Sequence, residues 1–296
     1  MVEADDPRQH MRNPKYVRQI FMRLITPCEF DHGISGWKLG WSLAGPPLMT
    51  VFIFECGGTL FDSGLSHMGP EVTALAQKRG VEQVLLTHHH EDHSGNGARL
   101  NRELGIPVRG HGLTARAMAR PFSILPYQSY VWGKSTPMEI APLPSSDWEH
   151  PVLGKMHAVH TPGHAPDHTV FHFPDTGVLV SGDLFLAERI KYFRTDEDVN
   201  GQVESLKRVM ELDFDTLLCS HYPRNRDGKA SLARKLDFLT SFRDRVLDAH
   251  GRGLTEKEIL RKLGMAESRG TQWFTFGDVS LINGIRSVIR GAISPD

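Results

Sequence analysis

Thr87-His88-His89-His90-Glu91-Asp92-His93-Ser94-Gly95 places six ionisable side chains in consecutive positions. Such a run would repel and desolvate itself unless something binds it, and a metal ion is the natural partner. The run follows the apolar Val84-Leu85-Leu86 and precedes Gly95-Asn96-Gly97, so it reads as a buried strand opening into a loop at a sheet edge. His88 and His90 stand two apart and share one side of an extended backbone, while Asp92 and His93 follow where the chain curls back. Imidazole nitrogen and carboxylate oxygen are first-choice ligands for zinc and acceptable ones for iron or manganese, and catalytic sites keep a position open for water. The loop alone cannot complete two such sites. Later turns offer further ligands: His164 in His160-Thr161-Pro162-Gly163-His164, Asp183 in Ser181-Gly182-Asp183, and His221 in Cys219-Ser220-His221-Tyr222-Pro223.

The succession H-x-H-x-D-H, P-G-H, S-G-D and a late S-H resembles the metallo-β-lactamase-fold hydrolase superfamily, over about residues 45–225. It is most similar to the glyoxalase II-like and β-lactamase-like hydrolases that carry a small C-terminal helical tail. The resemblance implies two divalent metal ions, zinc in the first place and iron or manganese as alternatives. His88, His90 and His164 match the ligands of the first ion. Asp92, His93 and His221 match those of the second, and Asp183 matches the residue that bridges the two. Thr59-Leu60-Phe61-Asp62-Ser63-Gly64 matches the family's strand ending in an aspartate, which makes Asp62 a support for the metal loop from behind. In such a centre the ions share a water, hold it as hydroxide for attack on a carbonyl or phosphoryl centre, and stabilise the developing charge. Asp92 and Asp183 are the catalytic carboxylates, with Asp92 also placed to take a proton. No G-x-S-x-G elbow suggests a serine nucleophile instead.

Composition narrows the function. The 296 residues, 40% apolar, suffice for a sizeable core. A formal net charge of −1 gives no general attraction to nucleic acid or an anionic membrane. The N-terminus is acidic without an apolar h-region, and no stretch approaches the roughly 20 apolar residues of a membrane span. The expectation is a cytoplasmic protein. Cys28, Cys56 and Cys219 are scattered and read as buried thiols of a reducing compartment.

Three regions follow: an arm over residues 1–16, a catalytic domain over 17–250, and a helical tail over 251–296. Alternation predicts a strand from Val17 to Ile25 and a Gly-Gly hairpin from Leu48 to Asp62. Gly33 to Pro47, with Trp37 and Trp41, reads either as a loop overhanging the site or as tryptophans covering a sheet edge. Pro70 to Arg79, stopped by Gly80, is a helix feeding the metal loop. Residues 113–150 interrupt the pattern after a short Ala-rich helix: Pro121, Pro126, Pro137, Pro142 and Pro144 stand among Tyr127, Tyr130 and Trp132, and no regular element fits. The insertion is a candidate lid or substrate wall, with a surface loop as the alternative. Strands are predicted over Lys155 to Thr161, His168 to Phe173, Gly177 to Ser181 and Phe214 to Cys219, and a long amphipathic helix over Ala230 to His250. His168 is a candidate support for a ligand. The tail holds two helices, one with a Thr255/Glu258 capping box and one capped by Asp278, and resembles a winged-helix tail. The expectation for it is a structural appendage or a homodimer contact.

These strands and helices fit an α+β fold, the four-layer αβ/βα sandwich of the superfamily, with a small winged-helix-like C-terminal subdomain. The fold does not choose a substrate. The leading expectation is hydrolysis of a small acyl substrate, a thioester, ester or lactone. An endoribonuclease or phosphodiesterase is the alternative, disfavoured by near-neutral charge. A persulfide dioxygenase-like oxidoreductase with one iron is a third reading, and that subgroup resembles this chain but binds its iron with two His and one Asp. Arg189, Lys191 and Tyr192, in a run with Arg194, and the rim residues Tyr222 and Arg224 are candidate substrate contacts, with solvated surface as the plain alternative.

Overall fold

The computed structural model describes residues 22–121, 123–143 and 148–293. The arm over 1–16, the start of the strand expected from Val17, and Pro144 lie outside the described residues. The first sheet runs in chain order through β1 (Met22–Glu29), β2 (Ser35–Ser42), β3 (Val51–Cys56), β4 (Thr59–Phe61), β5 (Gln83–Leu85), β6 (Val108–Gly110) and β7 (Ala141–Pro142). Pairing is antiparallel as far as β4 and parallel from β4 to β7. Gly57 and Gly58 both have positive φ, +52° and +81°, the backbone that a two-residue hairpin turn between β3 and β4 demands.

The second sheet contains β8 (Trp148–His150), β9 (Gly154–His160), β10 (Thr169–Phe173), β11 (Val178–Gly182) and β13 (Thr216–Cys219), with β13 parallel to β11 at one edge. A small third ribbon pairs β12 (Phe193–Arg194) with β14 (Val279–Ser280).

Period-two alternation sorts the strand residues into layers. Phe61, Leu85, Phe171, Phe173, Val178, Val180 and Leu218 meet between the two large sheets. Leu60 and Val84 turn outward under helices α1 (Gly69–Arg79) and α3 (Gly97–Leu104), where Val72, Ala76 and Leu100 cover them. On the opposite face Leu179 and Leu217 pack under α6 (Val199–Met210) and α7 (Gly228–Gly251). Helix, sheet, sheet, helix is the four-layer sandwich. Each fully buried Phe, Leu or Val contributes about 1.5–3 kcal/mol, so these three clusters hold the strand ends, and whatever stands on them, in fixed register.

Three expectations need correction. Ser35–Ser42 is neither loop nor edge cover but strand β2, between β1 and β3. Trp37, Leu39 and Trp41 alternate onto the helix-covered face. Gly36 and Gly40 stand where an added Cβ would come within 2.8 Å of Phe30 and 2.9 Å of Pro47, so these glycines mark close approach in a strand. The Ala-rich helix forms as α4 (Gly112–Met118), but after it, within the stretch expected to be irregular, regular elements also form: α5 (Pro126–Val131), β7 and β8. Pro126 starts α5 because the first turn needs no backbone N–H, and Gln128 Oε1 accepts from Leu125 N at 2.7 Å. Among its described residues the tail holds three helices, α8 (Glu256–Lys262), α9 (Arg269–Phe274) and α10 (Leu281–Ile293), besides β14. The Thr255/Glu258 capping box is present, with Thr255 N donating to Glu258 Oε2 at 2.8 Å. Asp278 accepts instead from Tyr127 Oη (2.6 Å) and Thr195 Oγ1 (2.5 Å), tying the tail to α5 and to the chain after Asp183. Among the described residues no helix is long and apolar enough to cross a membrane.

Candidate metal centre

Every expected ligand stands at the end of a strand on one rim. Asp62 follows β4, and the His88–His93 loop follows β5 and runs into the single turn α2 (Glu91–Ser94). His164 lies in the β9–β10 connection, Asp183 directly follows β11, and His221 comes two residues after β13. Backbone hydrogen bonds lash the two sheets together at this rim: Thr169 N to Thr87 O at 2.9 Å and Phe52 N to Ser220 O at 2.7 Å.

The side chains converge into two groups whose ligand atoms lie within 4.8 Å of one another: His88, His90 and His164, and Asp92, His93, Asp183 and His221. In the first group His88 Nε2 lies 2.9 Å from His90 Nδ1, which lies 3.1 Å from His164 Nε2. Asp183 faces both groups. Its Oδ2 is 3.3 Å from His164 Nε2, and its Oδ1 is 3.4 Å from His93 Nε2 and 3.5 Å from His221 Nε2. Asp92 Oδ2 stands 3.6 Å from His93 Nε2 and 3.7 Å from His221 Nε2.

Satisfaction of the buried polar atoms tests whether metal ions fit. His93 Nε2 and Asp183 Oδ1 are buried without a hydrogen-bond partner, which is costly unless something else engages them. The opposite nitrogens of four of the five rings are held, while Nε2 of His90 is buried without a hydrogen-bond partner. His93 Nδ1 reaches Asp62 Oδ2 (2.8 Å), His88 Nδ1 reaches Thr87 Oγ1 (3.0 Å), His164 Nδ1 reaches Glu197 Oε1 (3.2 Å), and His221 Nδ1 donates to Thr50 O (2.8 Å). A proton on the outward nitrogen leaves the inward one as a lone pair aimed into the group, the state a ligand requires. The donor set fits two divalent ions.

Electrostatics agrees. Burial, then the neighbouring imidazoles, hold His88 well below the ordinary histidine value, and burial with Arg194 does the same for His90. His88 and His90 are therefore neutral, as ligands must be. Burial opposes the charged form of His93 and His221, yet the carboxylates of Asp92 and Asp183 carry both above it. Burial likewise works against the Asp183 carboxylate, and His221 and His93 hold it well below the usual range.

Asp62 has a φ of +60°, and its carboxylate accepts from Thr87 N (2.8 Å) and Thr87 Oγ1 as well as facing His93. His168 stands behind Asp183: its Nε2 accepts from Asp183 N at 3.1 Å, and burial pushes it down to about 3. Gly182, φ +46°, is required there, since an added Cβ would meet Thr87 Oγ1 at 2.7 Å and His168 Nε2 at 2.9 Å.

The substrate-contact candidates are not gathered in the same way. Tyr222 is exposed beside His221, and Arg189, Lys191, Tyr192 and Arg224 are at least partly exposed. None of these five has a hydrogen bond or ion pair to the ligand groups among the described residues. Arg224 instead folds back along β13, exchanging backbone hydrogen bonds with Leu217. From the same basic run the structure brings Arg194 to the centre, where it acts on His90 and Glu91 while pairing with Asp196 at 3.1 Å. The insertion supplies a wall. The Trp132 ring centre lies 6.2 Å from that of His221, Gln128 Nε2 donates to Glu91 Oε1 at 3.4 Å, and the Ser135 and Ser94 hydroxyls are 2.8 Å apart. Sequence reading did not pick Glu197, Asp167 or Thr87 as supports. Asp167, bonded to His89 N and Nδ1, had a local signal in the Pro-Gly-His-Ala-Pro-Asp turn, whereas Glu197 had none.

This fold carries a double cluster of metal-ligand side chains, and the chain belongs to the metallo-beta-lactamase superfamily, whose model matches residues 49–221. Among its relatives, a hydroxyacylglutathione hydrolase of Cereibacter sphaeroides is 30% identical over 154 residues, 51% of this chain and 52% of that protein. A probable metallo-hydrolase, YybB of Bacillus subtilis, is 25% identical over 184 residues, 60% of this chain and 80% of that protein. The chain thus spans about half the length of the Cereibacter hydroxyacylglutathione hydrolases it matches. Among solved structures, a metallo-beta-lactamase family protein of Thermus thermophilus superposes with a TM-score of 0.56 at 18% identity, covering 93% of this chain and 94% of that one. A metallo-beta-lactamase of Erythrobacter litoralis gives 0.55 at 17% identity, over 75% and 99%. At such identities these two speak for the fold.

Proposed function

We propose that the protein is a hydrolase that uses two divalent metal ions, zinc first among them, to cleave a small acyl substrate: a thioester, ester or lactone. The observation that carries this reading is the division of the Asp183 carboxylate between two ligand groups, Oδ2 toward His164 and Oδ1 toward His93 and His221. His88, His90 and His164 would hold one ion, Asp92, His93 and His221 the other, with Asp183 shared. Bound there, such ions lower the pKa of a water toward neutrality and offset charge developing on an acyl oxygen. Asp92 lies beside the same group with one oxygen free to accept the proton released in the attack. Asp62, Thr87, Glu197 and the Thr50 carbonyl fix the imidazole rings, so the ligand atoms need no reorganisation during the reaction. Trp132 and α5 stand as a wall that limits water on one side.

Support for an acyl substrate comes from relatives named for hydrolysing an acyl group carried by glutathione, and a net charge of −1 argues for a small molecule over nucleic acid. The test is elemental analysis of purified protein together with a thioester, lactone and phosphodiester panel. About two zinc ions per chain and acyl hydrolysis are expected. A single iron with oxygen uptake on persulfides would refute the proposal in favour of dioxygenase chemistry, and phosphodiester cleavage alone would move it to the nuclease branch.

A further inference from the structure

One of the largest fully buried side chains among the described residues belongs to a lysine, Lys235, 1% exposed. It lies in α7 between Leu232 and Leu239, both part of the outer core. An ammonium in such a place is expensive unless it is paired, and burial pushes it down to about 8 although Glu197, Cys219 and Asp183 favour its charge. Its Nζ donates to the carbonyl oxygen of Leu184 at 2.7 Å.

Leu184 directly follows Asp183. The turn that carries this carboxylate is held from several sides: Leu184 N donates to Ser181 O, Asp183 N to His168 Nε2, Ser220 N to Gly182 O, and Cys219 Sγ to Phe185 O. Lys235 is the charged member of that set. Glu197, first among the charges acting on Lys235, is also the carboxylate that engages His164 Nδ1 and accepts from Gln202 Nε2 at 3.0 Å. The Asp183 carboxylate that this turn carries faces His164 at 3.3 Å between Oδ2 and Nε2.

We propose that Lys235 is a positioning residue of the metal centre: from inside the helical layer it fixes the Asp183 turn through the Leu184 carbonyl. The proposal rests on the two-metal reading above. A side chain without a donor leaves the Leu184 carbonyl buried and unpaired. The Asp183 turn then loses a pin, and the carboxylate oxygens it carries are no longer fixed. A lysine kept only for folding would make the opposite case, since replacing a buried charge by an apolar side chain of similar length is often neutral or stabilising.

The experiment uses the full chain, stripped with a chelator and titrated with zinc against a chromophoric competitor, as wild type, Lys235→Met and Lys235→Gln. Metal-free Lys235→Met is expected to melt no lower than wild type while its affinity for at least one zinc ion falls about tenfold or more. Lys235→Gln, which keeps a shorter donor, should lose less than Lys235→Met. Wild-type zinc affinity in Lys235→Met would overturn the proposal whatever its melting temperature. If Lys235→Met fails to fold, Lys235→Leu takes its place: a tenfold loss supports the proposal and unchanged affinity overturns it. Failure of the underlying two-metal reading looks different, because wild type itself would then bind fewer than two ions.

Discussion

Asp62→Asn would show whether a residue that touches no ligand atom on its inward side controls the second ion. Asp62 accepts from Thr87 N (2.8 Å) and engages His93 Nδ1 at 2.8 Å. Asparagine keeps one acceptor, enough for Thr87, but offers an N–H where His93 needs an acceptor. His93 then has to move its proton to Nε2, the atom 3.4 Å from Asp183 Oδ1 and 3.6 Å from Asp92 Oδ2, and the lone pair that a metal would use is gone. The backbone does not confound the result, because φ at residue 62 is +60° and asparagine tolerates the left-handed region as aspartate does. Stability should fall only modestly: a charge-assisted hydrogen bond worth about 1.5–3 kcal/mol is exchanged for a neutral one worth about 0.5–1.5 kcal/mol. Loss of an orienting partner costs roughly 10–100-fold in metal affinity, and it should fall only on the ion proposed for Asp92, His93 and His221. Zinc titration of the chelator-stripped protein reads both sites. Two ions bound with wild-type affinities would refute the account of Asp62, of the His93 tautomer and of the ligand set together. Asp62→Ala, which strands Thr87 and His93 and puts a Cβ residue without a stabilising side chain at positive φ, should instead lose about 3–5 kcal/mol of stability.

Gly182→Ala should destabilise the chain by more than about 2 kcal/mol in chemical denaturation, because positive φ alone costs about 1–2 kcal/mol and the new Cβ meets Thr87 Oγ1 at 2.7 Å; a neutral effect would mean that the rim is slack. Phe171→Ala, between the two sheets, should cost about 3–5 kcal/mol without changing zinc stoichiometry in the folded protein. Lys235 predicts a pH dependence of the metal-free protein. Its folded value of about 8 lies below the ordinary 10.5, so between these pH values the unfolded chain binds more protons and stability rises with pH. The penalty, about 3 kcal/mol and full below pH 8, vanishes above 10.5, and the difference in stability between wild type and Lys235→Met should shrink over the same window; a difference independent of pH would refute it.

The strand ends and ligand types were legible because each is a local signal: an apolar run, a glycine or proline turn, then His or Asp. Gly80 at φ +63° ends α1, and Gly57-Gly58 closes the hairpin, as read. The errors came where one local signal has two physical meanings. Glycine marks loops, but Gly36 and Gly40 in β2 mark strand positions where a side chain would collide. Proline breaks helices, but Pro126 begins one. In the tail, Asp278 looked like a cap, and its carboxylate is taken by Tyr127 and Thr195 from distant parts of the chain.

What could not be read at all has a common cause. Glu197 meets His164 across 33 positions, and Lys235 meets Leu184 across 51, so neither spacing corresponds to a period of helix or strand. Their partners are decided by how α6 and α7 dock on the outer face of the second sheet. Docking depends on the summed shape of many apolar side chains and not on any one of them. The inward half of the centre, the atoms that would bind metal, is therefore encoded at strand ends, where register alone brings them together. The outward half, the groups that set each ring's proton and each carboxylate's direction, is encoded in helix packing. A substitution in α6 or α7 that leaves every ligand in place can then still move metal affinity, by shifting Glu197 or Lys235 relative to the ring or carbonyl it holds.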